Sequence, residues 1–230
     1  WTRVVPPAPC STALTVLDDY PLEDLVPRID WTPFFQTWEL AGHYPDILRD
    51  PMVGPAATNL FRDAQELLDR IVRERLLRAR GVLGVLRANA VGDDIELYAD
   101  EERSEPLAVI HTLRQQMIKP PGRPNLALAD FVAPRDTGVA DYVGAFAVTA
   151  GEGLDALAAS FEAAHDDYEA ILAKALADRL AEAFAERLHA PVIEEGFQRR
   201  LRHRVHRIGR DKLLDVENVG VRRVLCPGRR

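Results

Sequence analysis

The chain has 230 residues, 47% of them hydrophobic and 28% charged, with a formal net charge of −7. That is ordinary globular composition, with ample material to bury a core in one large domain or two small ones. No run of about 18 apolar residues occurs, which excludes a membrane-spanning helix, and the opening WTRVVPPAPC is too polar and Pro-rich for a secretory signal.

Residues 1–16 read as an irregular lead-in, because Pro6, Pro7 and Pro9 oppose regular helix, and 17–26 as a short acidic helix or turn. Residues 29–48, IDWTPFFQTWELAGHYPDIL, hold two of the three Trp and the pair Phe34-Phe35, with a helix continuing through Trp38–Leu40 and ending near Gly42 and Pro45. An amphipathic helix is expected over 59–79, since Leu60, Ala64, Leu67, Leu68, Ile71 and Val72 recur every three or four residues. Gly81 is expected to stop it. Strands follow at 81–86, at Ile95 and Leu97, and at Val109-Ile110, with 89–94 as a turn. After a Pro/Gly loop at 119–124 come strand candidates at 126–132 and 141–148. Residues 160–189 read as one long core helix carrying an apolar stripe from Phe161 to Leu188. Helices, then strands, then one long helix predict an α+β fold with a mixed or antiparallel sheet and packed helices.

Charge is unevenly placed. Residues 199–230 carry 11 Lys/Arg against 3 Asp/Glu, so a basic tail follows an acidic body. Cys10 and Cys226 have neither CxxC nor Cys/His ligand spacing, which disfavours a disulfide framework or zinc site and makes a reducing cytosol the default. No GxGxxG follows a strand and no GxxxxGK[ST] occurs, so classical dinucleotide and P-loop chemistry lack support. Ser104 and Ser160 lack a nucleophile elbow. Gly92-Asp93-Asp94 reads as a turn before a metal site, and Asp166 and Asp167 as acids favouring a helix start. His203 and His206 have no third ligand nearby.

Two acids stand out. Asp30 precedes the Trp31-Thr32-Pro33-Phe34-Phe35 cluster, where a carboxylate suits a ligand amine; the alternative is a capping acid beside a core corner. Glu182 lies on the helical line 171, 175, 178, 182 beside the apolar stripe, so it needs a partner, either Arg179 or Arg187 or a ligand.

The segments IDWTPFFQTWELAGHYP, ANAVGDDIELY, LRQQ, NLALADFVAP, DYVGAFAVTAG and DDYEAILAKALADRLAEAFAERLH, in this order, closely resemble the S-adenosylmethionine-binding activation domain of cobalamin-dependent methionine synthase. The resemblance covers about 17–190, leaving 1–16 as a linker and 191–230 as a divergent basic tail. It implies a part of a methyltransferase that moves methyl groups from 5-methyltetrahydrofolate to homocysteine. This domain would bind S-adenosylmethionine for reductive methylation of inactive cob(II)alamin, with the cobalamin held by a separate domain. It further implies a cytoplasmic protein whose partners are the cobalamin-binding domain and a flavodoxin-type electron donor, with no membrane and no specific nucleic acid. Residue by residue, Asp30 matches the acid contacting the methionine moiety of the ligand and Glu182 a second acid near it; no catalytic residue and no metal ligand carries over. The family's RxxxGYP signature, whose Arg clamps the ligand carboxylate, does not occur, and Arg87 stands where the family commonly has Pro. The chain is therefore expected to be a truncated or altered activation domain; the alternative is a non-catalytic docking module or inactive fragment.

Overall fold

The computed structural model describes residues 6, 8–9, 12–194 and 220–222. The strands are β1 (Thr15–Tyr20), β2 (Arg78–Val91), β3 (Asp94–Tyr98), β4 (Pro106–His111), β5 (Asp141–Glu152) and β6 (Gly220–Arg222). The helices are α1 (Trp31–Thr37), α2 (Gly54–Glu74), α3 (Leu154–Ala163) and α4 (Asp167–Glu194). The sheet order is β4-β3-β2-β5-β6, with β1 paired to β2, and β2/β3, β3/β4 and β5/β6 are antiparallel. The α+β expectation holds. Two compact units divide the chain, and β2 and β5 contribute residues to each.

One unit takes in Val16–Val82 and Ala147–Leu188. Its α2 begins with a Pro in the first turn and buries Ala57, Leu60, Ala64, Leu67, Leu68 and Ile71, a 3.6-residue stripe. The helix does not run to residue 79, nor does Gly81 end it. Arg75 adopts the left-handed conformation (φ 52°), and the amide of Leu76 donates back to Ile71 O at 3.0 Å. Beyond it Leu77, Ala79 and Gly81 are buried while Arg78 and Arg80 are exposed, a two-residue period that only a strand satisfies. Gly81 lies inside β2, where a Cβ would come within 3.0 Å of the Phe184 ring. Residues 15–20, expected partly as lead-in and partly as helix or turn, form β1 instead. Its Asp18 accepts from Arg80 Nε at 2.8 Å, and Asp19 lies 3.5 Å from Arg78, so the acids pair across the strands.

The long helix expected over 160–189 is two helices. His165 (φ 58°) breaks them, with the amide of Asp166 bonding back to Phe161 O at 2.9 Å. Asp166 then caps α4 by accepting from the Glu169 amide at 3.1 Å, as the helix-start reading of these acids requires. Leu172, Leu176, Leu180 and Phe184 are fully buried, whereas Ile171 is half exposed, so the core stripe is narrower than the sequence pattern.

The other unit contains Leu83–Phe146 with described residues from both chain ends. Ala88, Ala90, Ile95, Leu97, Ala129, Val132 and Val143 form its core. The β2/β3 hairpin turns at Gly92 (φ 61°), pairing Val91 with Asp94, so Asn89 belongs to β2 and not to the turn. The strand expected at 126–132 is a short 3-10 turn, Leu128–Phe131. Asp130 accepts from the Ala127 amide at 2.9 Å, and this local side-chain bond replaces a ladder.

Candidate functional site

Asp30 is the N-cap of α1. Its backbone is extended (φ −79°, ψ 113°), and Oδ1 accepts from the Thr32 amide at 2.9 Å. The Thr32 hydroxyl accepts in turn from the Tyr44 amide at 3.1 Å, which holds the 43–45 segment beside the start of α1. Below this exposed cap lie buried rings. Trp31 meets Phe34 edge-on at 5.3 Å and Phe61 of α2 edge-on at 4.9 Å, and Phe35 meets Phe34 at 5.5 Å. Tyr44 packs on Phe61 at 5.4 Å and keeps about a third of its surface in water (37%). The aromatic run is thus core on one side and a carboxylate-bearing surface on the other. Both readings of 29–48 coexist: the rings pack, and Asp30 stays exposed with Oδ2 unengaged among the described residues.

Glu182 projects from α4 next to buried Ala183 and Phe184, but is itself exposed. It is ion-paired with Arg179 one turn earlier, one of the two internal partners the sequence offered. Asp30 and Glu182 lie in the same unit and share no hydrogen bond or ion pair; each has its own local partner. A ligand amine therefore finds a carboxylate oxygen ready at Asp30, whereas at Glu182 it would compete with a guanidinium.

Close to the end of α1, Trp38 packs on Tyr168 at 5.3 Å, and the Tyr168 hydroxyl donates to Asp63 at 3.0 Å. Burial first, and then that hydrogen bond, push the Tyr168 hydroxyl up to about 12, so it remains a donor at neutral pH.

The sequence reading passed over a polar cluster in the other unit. Arg103, in the left-handed region (φ 52°), donates from Nη1 to Asn89 Oδ1 at 2.7 Å and to the carbonyls of Ala88 and Asp141 at 3.1 Å each. Asn89 gives both amide protons away, to Ala133 O at 2.9 Å and Val139 O at 2.8 Å. The Ala133 amide donates to buried Asp141 at 2.8 Å. Arg103 also stacks over Tyr142 (5.3 Å) and Tyr98 (5.9 Å). The Tyr98 hydroxyl is pushed up to about 12 by burial and by its bond to Glu96. A cleft lined by Asn89, Glu101, Glu102, Arg103, Arg135 and Gly138 borders this cluster. Asn89 is buried between Ala88 and Ala90, so the end of β2 shows no alternation that would single it out in the sequence.

Arg87 ties β2 to the segment after β3, donating to Ala99 O at 3.1 Å and to Glu101 at 2.5 Å. The Arg at this position thus has a structural partner. Asp93 and Asp94 are engaged by Arg114 (2.6 Å) and His111 (3.0 Å). No group of three metal-binding side chains occurs among the described residues. His203, His206 and nearly all of the basic tail lie outside them.

An antiparallel sheet together with four α-helices, and an exposed carboxylate at a helix cap beside packed aromatics, make this an α+β protein. Its fold is similar to a crystal structure of the MetH reactivation domain bound to AdoHcy, with a TM-score of 0.78 and 54% sequence identity over 83% of this chain. The chain spans 58% of the length of that structure. The family described as vitamin B12 dependent methionine synthase, activation domain, matches residues 21–223, which takes in most of the tail 191–230 as well as the body. The chain belongs to that family.

Proposed function

We propose that this chain is the part of a cobalamin-dependent methionine synthase that binds S-adenosylmethionine for reductive methylation of inactive cob(II)alamin. The observation that carries the reading is the family match together with a relative, 54% identical, solved with AdoHcy, the demethylated form of that ligand. The exposed Asp30 carboxylate, with one oxygen uncommitted, suits the protonated amine of an amino-acid ligand. Trp31, Phe34 and Phe35 fix the cap from below, so the rings support the site and do not read the ligand. Glu182 is the second acid of the proposed site, with Arg179 setting its orientation. When bound, S-adenosylmethionine supplies the methyl group; the chain supplies position and charge complementarity. Its partners on this reading are the cobalamin-binding domain and a flavodoxin-type electron donor, and its compartment is the cytoplasm. No helix among the described residues is long and apolar enough to cross a membrane.

Calorimetric titration with S-adenosylmethionine tests the reading, both on this chain and on a version extended with an RxxxGYP-bearing segment. Absence of binding by both sinks it. The docking-module alternative draws support from Glu182, which is already paired internally, and from the lack of RxxxGYP in the sequence. Binding of a cobalamin domain without binding of S-adenosylmethionine would favour that alternative.

A further inference from the structure

The Asp30 carboxylate is held by less than a helix cap usually offers. An N-cap acid accepts from the amide of the second or the third helical residue, and a carboxylate has lone pairs enough to take both. In α1 those residues are Thr32 and Pro33. Pro33 has no N–H, so Thr32 is the one donor of the two, and its amide meets Oδ1 at 2.9 Å. Oδ2 has no partner among the described residues, and Asp30 is exposed. A proline at this place therefore does more than fit a helix start. It withholds the amide that would compete for Oδ2.

Thr32 is itself braced. Its hydroxyl accepts from the Tyr44 amide at 3.1 Å, and β-branching restricts the rotamers from which that oxygen can do so. Tyr44 is fixed by other contacts as well. The amide of buried Ile47 donates to His43 O at 2.8 Å, and the Tyr44 ring lies nearly parallel to Phe35 at 6.4 Å and packs on Phe61 at 5.4 Å. The 43–45 segment thus buttresses Thr32, and Thr32 orients Asp30. Thr32→Val keeps the backbone amide and a similar shape but leaves the Tyr44 amide without its acceptor.

We propose that Thr32 and Pro33 are positioning residues of the ligand site: Thr32 holds Oδ1 of Asp30, Pro33 withholds a competing amide, and Oδ2 is left free for the ammonium group of an amino-acid ligand. This rests on the reading of Asp30 as a ligand contact. Neither residue touches the ligand, and no ligand sits on the amides of this seven-residue helix. An acceptor already fixed and unoccupied spares the ligand the cost of arranging it. The test compares the Kd for AdoHcy with that for its deamino analogue, in which hydrogen replaces the α-amine. Titration calorimetry is run on this chain and on its RxxxGYP-extended version. The ratio of the two constants reads the ammonium contact alone, because a general loss of folding or of pocket shape moves both. The parent is expected to prefer AdoHcy about fivefold, the screened value for an exposed charge pair. Pro33→Ala, which restores the competing amide, and Thr32→Val are each expected to cut that preference to about twofold or less. Thr32→Ser is expected to restore most of it, and in an Asp30→Asn background neither change is expected to move the ratio further. An unchanged preference in Pro33→Ala and Thr32→Val overturns the proposal, as does equal weakening toward both ligands. A parent that binds the two ligands equally refutes the Asp30 contact beneath it, and a parent that binds neither refutes the ligand-binding reading itself, so each failure has its own signature.

Discussion

On the proposed function Asp30 has two separable duties, capping α1 and meeting the ligand ammonium, and two substitutions separate them. Asn keeps a side-chain oxygen that can accept from the Thr32 amide (2.9 Å in this structure) but carries no charge, whereas Ala removes both. Loss of the cap costs about 1 kcal/mol. For a domain of this size that lowers the melting temperature by roughly 2–4 °C, too little to unfold it. Because Asp30 is exposed, its attraction for a ligand ammonium is screened by water, and about 1 kcal/mol, or roughly fivefold in affinity, is the reasonable loss. Asp30→Asn is therefore expected to bind S-adenosylmethionine about fivefold more weakly with an unchanged melting temperature. Asp30→Ala is expected to show the same weakening together with the thermal loss. Titration calorimetry on the extended domain and differential scanning fluorimetry read the two effects apart. If Asp30→Asn binds as tightly as the parent while Asp30→Ala loses only stability, Asp30 is a cap and nothing more.

Gly153→Ala is expected to be strongly destabilising, because Gly153 sits at φ 99° and a Cβ there would lie 2.5 Å from the backbone oxygen of Leu76. Gly122→Ala, also at positive φ (81°) but with open space around it, is expected to cost only the backbone strain of about 1 kcal/mol. Equal urea midpoints for the two would refute the steric argument. Arg103→Met removes the donor to Asn89 and to two carbonyls, and a loss of about 2–4 kcal/mol in urea unfolding is expected. A loss below about 0.5 kcal/mol would show the cluster to be dispensable. Arg114, and then the Ala127 amide, hold the Asp130 carboxyl down at about 2, below its ordinary 3.8. A depressed folded-state pKa stabilises above the unfolded value and is lost as pH falls through the folded one. The melting-temperature advantage of the parent over Asp130→Asn is thus expected to be full above pH 5 and to fade between about pH 4 and 2. An advantage that does not change with pH would contradict it.

What the sequence made legible follows from which signals are local. Alternation gave β3, and the apolar stripe gave α2, because burial on one face imposes those periods directly, while β4 was marked only by the adjacent Val109 and Ile110 on a largely exposed edge strand. The missed boundaries share one cause. Arg75 and His165 end α2 and α3 in the left-handed conformation, a role usually marked by Gly, so the apolar periodicity ran on past both. β1 was missed because its acids make sense only against Arg78 and Arg80, about sixty positions later. The strand expected at 126–132 failed because Asp130 satisfies the Ala127 amide locally while being held by a distant Arg114.

The same distinction orders the site. Asp30 was legible as a cap because a cap and its helix are neighbours in sequence, and its carboxylate stays exposed. Arg103, Asn89 and Asp141 were not, because their cluster joins a loop, an inward strand position and a second strand across about fifty residues. Those long-range bonds converge beside the 133–141 connection, and Ala133 links to both Asn89 and Asp141. A buried network of this kind is costly to break at any single member, so it fixes the geometry of β2 and β5. The exposed loop at 113–126 is built the opposite way: its backbone is satisfied internally and its apolar side chains are left in water. Long-range polar bonding thus fixes the frame of that unit, while the local bonds of the loop hold a backbone whose apolar side chains gain nothing from burial.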